Sequence, residues 1–169
     1  DVIGGNTARL EALVELFVDS FPEYAHTASR LRLKASLPAN AHPRFIAHQW
    51  LAELDGQAAG LLSFKYAPAR DLGLALYLAV KPAYRHIYIE HDWRLSEWLF
   101  RAARETLCQQ AQTMGRPTPS GLFMEVNPDR LVARYSQFGF IELAVEYYEP
   151  RFRRARQGIA VPADGEQVD

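Results

Sequence analysis

The sequence predicts an α/β (α+β) domain, a mixed central β-sheet flanked by helices in the order α-α-β-β-β-α-β-α-β. Three observations carry that prediction. The dipeptide Asp55-Gly56 separates two strand-like runs, a helical period of apolar residues extends from Leu95 to Met114, and the stretch Gly121 to Phe140 reads as strand, helix, strand.

The elements follow in order. Asn6 or Thr7 is a candidate N-cap, and Leu10, Leu13, Val14, Phe17 and Val18 fall at helical spacing up to Ser20, where Phe21-Pro22 ends the helix. Between Tyr24 and Leu37, Leu31, Leu33 and Leu37 predict a shorter helix with Arg30, Arg32 and Lys34 on its wet side. The period then changes. Phe45 to Leu54 and Gln57 to Tyr66 form a hairpin, because Asp-Gly supplies the positive backbone angles of a tight type I′ turn. A third strand, Gly73 to Lys81, alternates Leu74, Leu76, Leu78 and Val80 with Ala75, Tyr77 and Ala79, so both of its faces are expected to be buried. Leu95, Trp98, Leu99, Ala102, Ala103, Leu107, Ala111 and Met114 mark a long helix ending near Gly115. Strand 121 to 127, helix 129 to 138 and strand Phe140 to Glu149 complete a single domain over 1–150, and 151–169 reads as a surface tail.

The long helix joins strand 73 to 81 to strand 121 to 127 as a crossover, so those two strands are expected to be parallel neighbours. Ligands in such sheets gather at the carboxyl ends of the strands. Here those ends are Val80-Lys81-Pro82 and Val126-Asn127.

Composition narrows the function classes. With 169 residues, 49% of them apolar and 12% aromatic, the chain has material for a real core. Its net charge of −1 supplies no global field to recruit nucleic acid or an anionic membrane. The single Cys108 cannot pair internally, no Cys/His cluster has zinc spacing, and His86 and His91 do not share a helix face, so no metal is assigned. No apolar run reaches membrane-spanning length and Asp1-Val2 is no secretory n-region, so the expected location is cytoplasmic.

Three segments together resemble the GNAT-type N-acyltransferases. Leu74-Ala-Leu-Tyr-Leu-Ala-Val80-Lys-Pro82-Ala-Tyr84-Arg85 is similar to that family's strand and following loop. Glu125-Val126-Asn127, Tyr135 and Gly139-Phe140 are similar to its closing strand-helix-strand, and Asp55-Gly56 with Gly60 to its central hairpin. The resemblance implies acetyl-CoA as cosubstrate, with the pantetheine lying as a pseudo-strand against the backbone of Leu78, Ala79 and Val80. It implies Tyr135 as the acid that protonates the departing thiolate, Glu125 as the base that relieves the attacking amine of its proton, and Asn127 as an amide anchor for CoA or substrate. The partners it implies are a small-molecule amine or peptide acceptor, with a homodimer left open.

The chain departs from the family at the anion loop. Where the family has glycines, Arg85 is followed by His86-Ile-Tyr88-Ile-Glu90-His-Asp92-Trp-Arg94, and a Cβ blocks close backbone approach while Glu90 and Asp92 repel a pyrophosphate. Two readings stay open. Either Arg85, His86 and Arg94 bind the anion with side chains, or the chain is a module of this fold without acyl transfer, binding a ligand or a protein. Several residues also have plain structural readings. Tyr135 could pack on the sheet, Glu125 could be a solvated strand residue, Asn127 could be a helix cap, Tyr77 competes for the acid role, and His48 between Ile46 and Trp50 reads as packed or substrate-lining. The basic run Arg151 to Arg156 reads as solvated tail rather than RNA contact.

Overall fold

Asp55 (φ 50°) and Gly56 (φ 74°) both take the left-handed angles that the predicted turn requires. Around them the hairpin of β1 (Ile46–Leu54) and β2 (Gln57–Ala67) pairs antiparallel from Ile46↔Tyr66 to Leu54↔Gln57. The structure, a computed structural model, describes residues 1–3, 7–90, 92–126, 131–144, 152–154 and 160–162. Contacts divide the chain into two units, Asp1–Asn127 and Pro128–Asp169.

In the first unit β2 pairs antiparallel with β3 (Leu72–Val80), and β3 pairs parallel with β4 (Leu122–Met124), giving the sheet order β1-β2-β3-β4. The α3 helix (Leu95–Thr113) connects the parallel pair, as the crossover prediction requires. Alternation along β2 assigns the two faces. On one, α1 (Thr7–Ser20), a 3-10 turn (Pro22–Thr27) and α2 (Ala28–Ala35) bury Leu13, Leu16, Phe17 and Leu31 with Leu61, and Leu51, Tyr77 and Ala79 pack beside them. On the other, α3 buries Leu95, Leu99, Phe100, Ala103, Leu107 and Ala111. That helix lies close enough that a Cβ on Gly73 would overlap Leu107, and a Cβ on Gly60 would stand 3.2 Å from Leu95. His48 faces α3, stacked on Phe64 at 4.6 Å with its ring nitrogens 2.8 Å from Asp1 Oδ2 and 2.7 Å from the Gln110 amide. Burial pushes its pKa down, so it is the packed histidine of the two readings.

Three expectations need correction. The strict alternation of β3 fails at Leu76. Ser63 pairs with Tyr77 while Phe64 pairs with Ala75, so Leu76 is an extra, unpaired residue, and it is 41% exposed. This β-bulge puts Ala75 on the α3 face and Tyr77 and Ala79 on the α1 face. Of the strand expected over 121 to 127, the described residues show Leu122–Met124. The second helix starts at Ala28, because Pro22 to Thr27 wind as a 3-10 turn first.

In the second unit α4 spans Val132–Gln137. Gly139 (φ 85°) stops it, as the sequence predicts, with the Gly139 N–H donating to Ser136 O and the Phe140 N–H to Tyr135 O. Residues 140–144 are not in a strand, so the expected strand does not begin at Phe140; residues 145–149 lie outside the described residues. The short strands β5 (Phe152–Arg154) and β6 (Ala160–Pro162) pair antiparallel within the segment read as a tail.

Candidate functional site

Among the described residues the β3–β4 ladder has three pairs, Gly73↔Leu122, Leu74↔Phe123 and Ala75↔Met124. Its end coincides with the bulge at Leu76. A bulge bends and over-twists its strand, which turns the carboxyl half of β3 out of register with β4. Among the described residues, Tyr77 to Val80 therefore pair only with β2, and Leu76 is unpaired. The Lys81 N–H donates to Ala59 O, so by the antiparallel alternation Ala79 and Tyr77 also point their backbone groups at β2. Leu78 and Val80 point theirs at the open edge. One acceptor on that edge is already used, since Arg85 Nε donates to Val80 O at 3.0 Å. Leu78, Ala79 and Val80 thus lie at an opened strand edge, and Arg85 lies beside it.

The following loop is a tight turn rather than a cradle. Ile89 N–H donates to Trp93 O, Trp93 N–H donates to Glu90 O, and Tyr88 bridges Arg94. Asp92 takes the positive φ (62°) that glycine would otherwise supply. The Arg94 N–H at the α3 N-cap donates to Glu97 Oε2 at 2.7 Å. A carboxylate in the first turn therefore already occupies the end of the helix dipole where a pyrophosphate would be drawn. Of the cations singled out in the sequence, Arg85 and His86 are exposed, and the Arg94 guanidinium lies 5.9 Å from the Tyr88 ring centroid. The sequence reading missed Glu97, although an acid three residues after the cap is a readable signal.

Glu125 directly follows the last residue of β4 and is exposed. Asn127 lies outside the described residues. Tyr135 belongs to the second unit, on α4, where its ring stands edge-on to Phe138 at 6.0 Å and to Phe140 at 5.9 Å. Burial pushes its hydroxyl pKa up. A phenol kept neutral in this way is suited to donating a proton.

Tyr77 sits in an aromatic cluster on the α1 face, with Phe17 at 4.8 Å, Phe21 at 5.5 Å and Tyr24 at 6.1 Å. Burial raises its pKa, and Arg30 acts on it in the opposite sense. The helix cations Arg30, Arg32 and Lys34 are all exposed, as the sequence predicts, and Arg32 clasps Glu11 of α1 with contacts of 2.6 and 2.9 Å. Elsewhere in this unit, a cavity of about 450 Å³ is lined by Trp50, Leu54, Ile89, Leu95, Trp98 and Ala102 among others, and by no residue of β3 or β4.

Solved structures with this backbone arrangement are acetyltransferases. An aminoglycoside N-acetyltransferase, AAC(6')-Iy in complex with CoA, aligns with a TM-score of 0.57 at 16% identity, covering 86% of this chain and 91% of that one. A ribosomal-protein-alanine N-acetyltransferase from Brucella melitensis biovar Abortus 2308 gives 0.54 at 15% identity over 85% and 91%. An acetyltransferase from Trypanosoma brucei gives 0.51 at 16% identity over 83% and 91%. The fold is the GNAT fold. No protein-family model and no curated protein sequence matches the chain. The likeness lies in the backbone fold.

Proposed function

We propose that this chain is an N-acyltransferase that moves acetyl from acetyl-CoA to a primary amine. The observation that carries the reading is the opened edge of β3. Leu78 and Val80 turn backbone groups away from β2, and pairing with β4 has ended at Ala75↔Met124. An extended pantetheine with its two amides is a chemical match for such an edge. The similarity to CoA-bound AAC(6')-Iy supports the same cosubstrate.

In this reading the amine nitrogen, once neutral, attacks the thioester carbonyl and forms a C–N bond. The C–S bond then breaks. Tyr135 gives its proton to the leaving sulfur, and Glu125, directly or through water, accepts the proton lost from nitrogen. Arg85, His86 and Arg94 neutralise the pyrophosphate through side chains, and Asn127 anchors CoA or acceptor through its amide. The acceptor is a small amine or a peptide.

A second reading is favoured by one observation, the occupied α3 N-terminus. With Glu97 on the dipole and no glycine between Arg85 and Arg94, a GNAT-fold module that binds a ligand or protein without turnover fits the loop equally well. Calorimetric titration with acetyl-CoA, and separately with CoA, decides between them. The transferase reading expects dissociation constants in the micromolar range. No heat at millimolar ligand, with folded protein, selects the module.

A further inference from the structure

The cavity of about 450 Å³ beside α3 plays no part in the acyl-transfer reading, and its walls are of an unusual kind. Every residue of β1 from Trp50 to Leu54 lines it. Successive residues of a strand point to opposite faces, so a cavity that all of them touch runs along the edge of the strand. The facing wall is Leu95, Trp98, Leu99 and Ala102, at the i, i+3, i+4, i+7 spacing of one face of α3. The cavity is therefore a groove between an edge strand and a helix. β3 stands two strand spacings away across the sheet, about 9–10 Å, so the groove is separate from the opened β3 edge.

A second observation comes from the backbone of that edge. At Gln49 the outward groups already hold another segment of the chain, since the Val2 N–H donates to Gln49 O at 2.8 Å and the Gln49 N–H donates to Asp1 Oδ1 at 3.1 Å. Outward groups recur at every second residue, which puts those of Leu51 and Glu53 next along the groove. The register shift at Ala52/Glu53 does not disturb this order, because the extra residue, Ala59, lies on β2. Among the described residues, neither Leu51 nor Glu53 has a backbone partner on the outward side. Proline and lysine, which commonly protect an edge, are absent from Trp50 to Leu54, and Arg9 holds the Glu53 carboxylate at 2.9 Å on the α1 side. Trp50 and Trp98 are only half-buried, so each wall offers an indole to an occupant.

We propose that this groove docks an extended peptide of a partner protein, which adds to β1 as a further strand beyond Asp1-Val2 and sets alternate apolar side chains between Trp50 and Trp98. Leu51 and Glu53 supply the backbone pairing. A peptide matches both features of the groove, whereas a purely apolar small molecule leaves the backbone groups unused. The two charged side chains of the lining, Asp1 and Glu53, are acidic, so the flanks of the peptide are neutral or basic. The proposal holds whether or not the opened β3 edge binds CoA.

The probe is the peptide acetyl-Lys-Leu-Thr-Leu-Lys-amide, titrated into the ¹⁵N-labelled full chain and followed by NMR. The Trp50 and Trp98 indole signals should shift saturably, and hydrogen exchange at the Leu51 and Glu53 amides should slow about tenfold or more. Two further versions carry backbone N-methyl groups, one on both leucines and the other on the threonine and the last lysine. A strand uses alternate amides, so one version should bind about tenfold more weakly and the other should bind like the parent. A version with glutamates in place of the lysines should bind a few-fold more weakly at low salt. Equal binding of the two methylated versions would overturn the proposal and leave an apolar pocket without strand pairing. So would unchanged exchange at Leu51 and Glu53, or no saturable response up to millimolar peptide.

Discussion

The two sides of β3 are built from the same kind of residue and behave differently. Towards β2 the strand pairs from Leu72 to Val80 on either side of the unpaired Leu76, and among the described residues it pairs with β4 over three positions. The ladder with β2 survives the bulge because β2 is anchored on its far side by a hairpin that closes on Asp55-Gly56. The ladder with β4 has no such turn and does not resume after the bulge. One extra residue thus converts a continuous sheet into a sheet with an opened edge, and that edge is where a backbone-recognising ligand can lie.

The largest expected effect lies with the chemistry that the open side serves. Tyr135→Phe should lower kcat by about 10²–10⁴-fold while leaving CoA affinity unchanged, because only the proton donor is removed. Single-turnover kinetics and calorimetry read the two quantities separately. The pH profile sharpens the test. A general acid must be protonated to act, and burial raises the Tyr135 pKa, so the alkaline limb of the wild-type rate should fall above the ordinary tyrosine value of about 10. That limb should vanish in the variant. Wild-type turnover in Tyr135→Phe would move the acid role to another group, with Tyr77 the first to examine.

Two proline substitutions compare the sides of β3 directly. Ala79→Pro removes an N–H aimed at β2 and strands a ladder acceptor, at a cost of about 2–3 kcal/mol in urea unfolding. Leu78→Pro removes an N–H aimed at the open edge. Its stability cost should be smaller, and its CoA affinity should fall about tenfold, the equivalent of one hydrogen bond at 1.4 kcal/mol. If the two variants rank the same way in both assays, the edge does not bind the cosubstrate.

Glu97→Gln probes the occupied end of α3. Glutamine can still accept from the Arg94 N–H, so only the interaction of charge with the dipole is lost, about 0.3–1 kcal/mol of stability. CoA affinity should rise a few-fold as the repulsion of the pyrophosphate disappears. An unchanged affinity would mean that the anion does not sit at this helix end.

Much of the closed side was legible in the sequence, since Asp-Gly punctuation and the 3.6-residue period of Leu95 to Ala111 report local constraints. The open side was less so. Residues 72 to 80 are apolar throughout apart from Tyr77, so no change of parity marks Leu76 as the bulge, and only pairing with β2 reveals it. The absence of glycine from the loop is plain in the sequence, but its closure by Ile89, Glu90 and Trp93 is not.

The smallest effects distinguish the two turns that bound these regions. Gly56→Ala puts a Cβ at φ 74° and should cost about 1 kcal/mol, since nothing stands within 4 Å to add a clash. Asp92→Gly is the converse change, at φ 62°. Relief of the left-handed conformation is offset by the larger entropy of glycine in the unfolded chain, so stability should stay within about 0.5 kcal/mol. Its informative readout is CoA affinity. A gain after Asp92→Gly would show that the Cβ or the charge had been obstructing the anion, and that the loop is a weakened form of a phosphate site. No change would place the pyrophosphate on the side chains of Arg85 and His86 instead, leaving the turn from Ile89 to Trp93 as a closure that the ligand never touches.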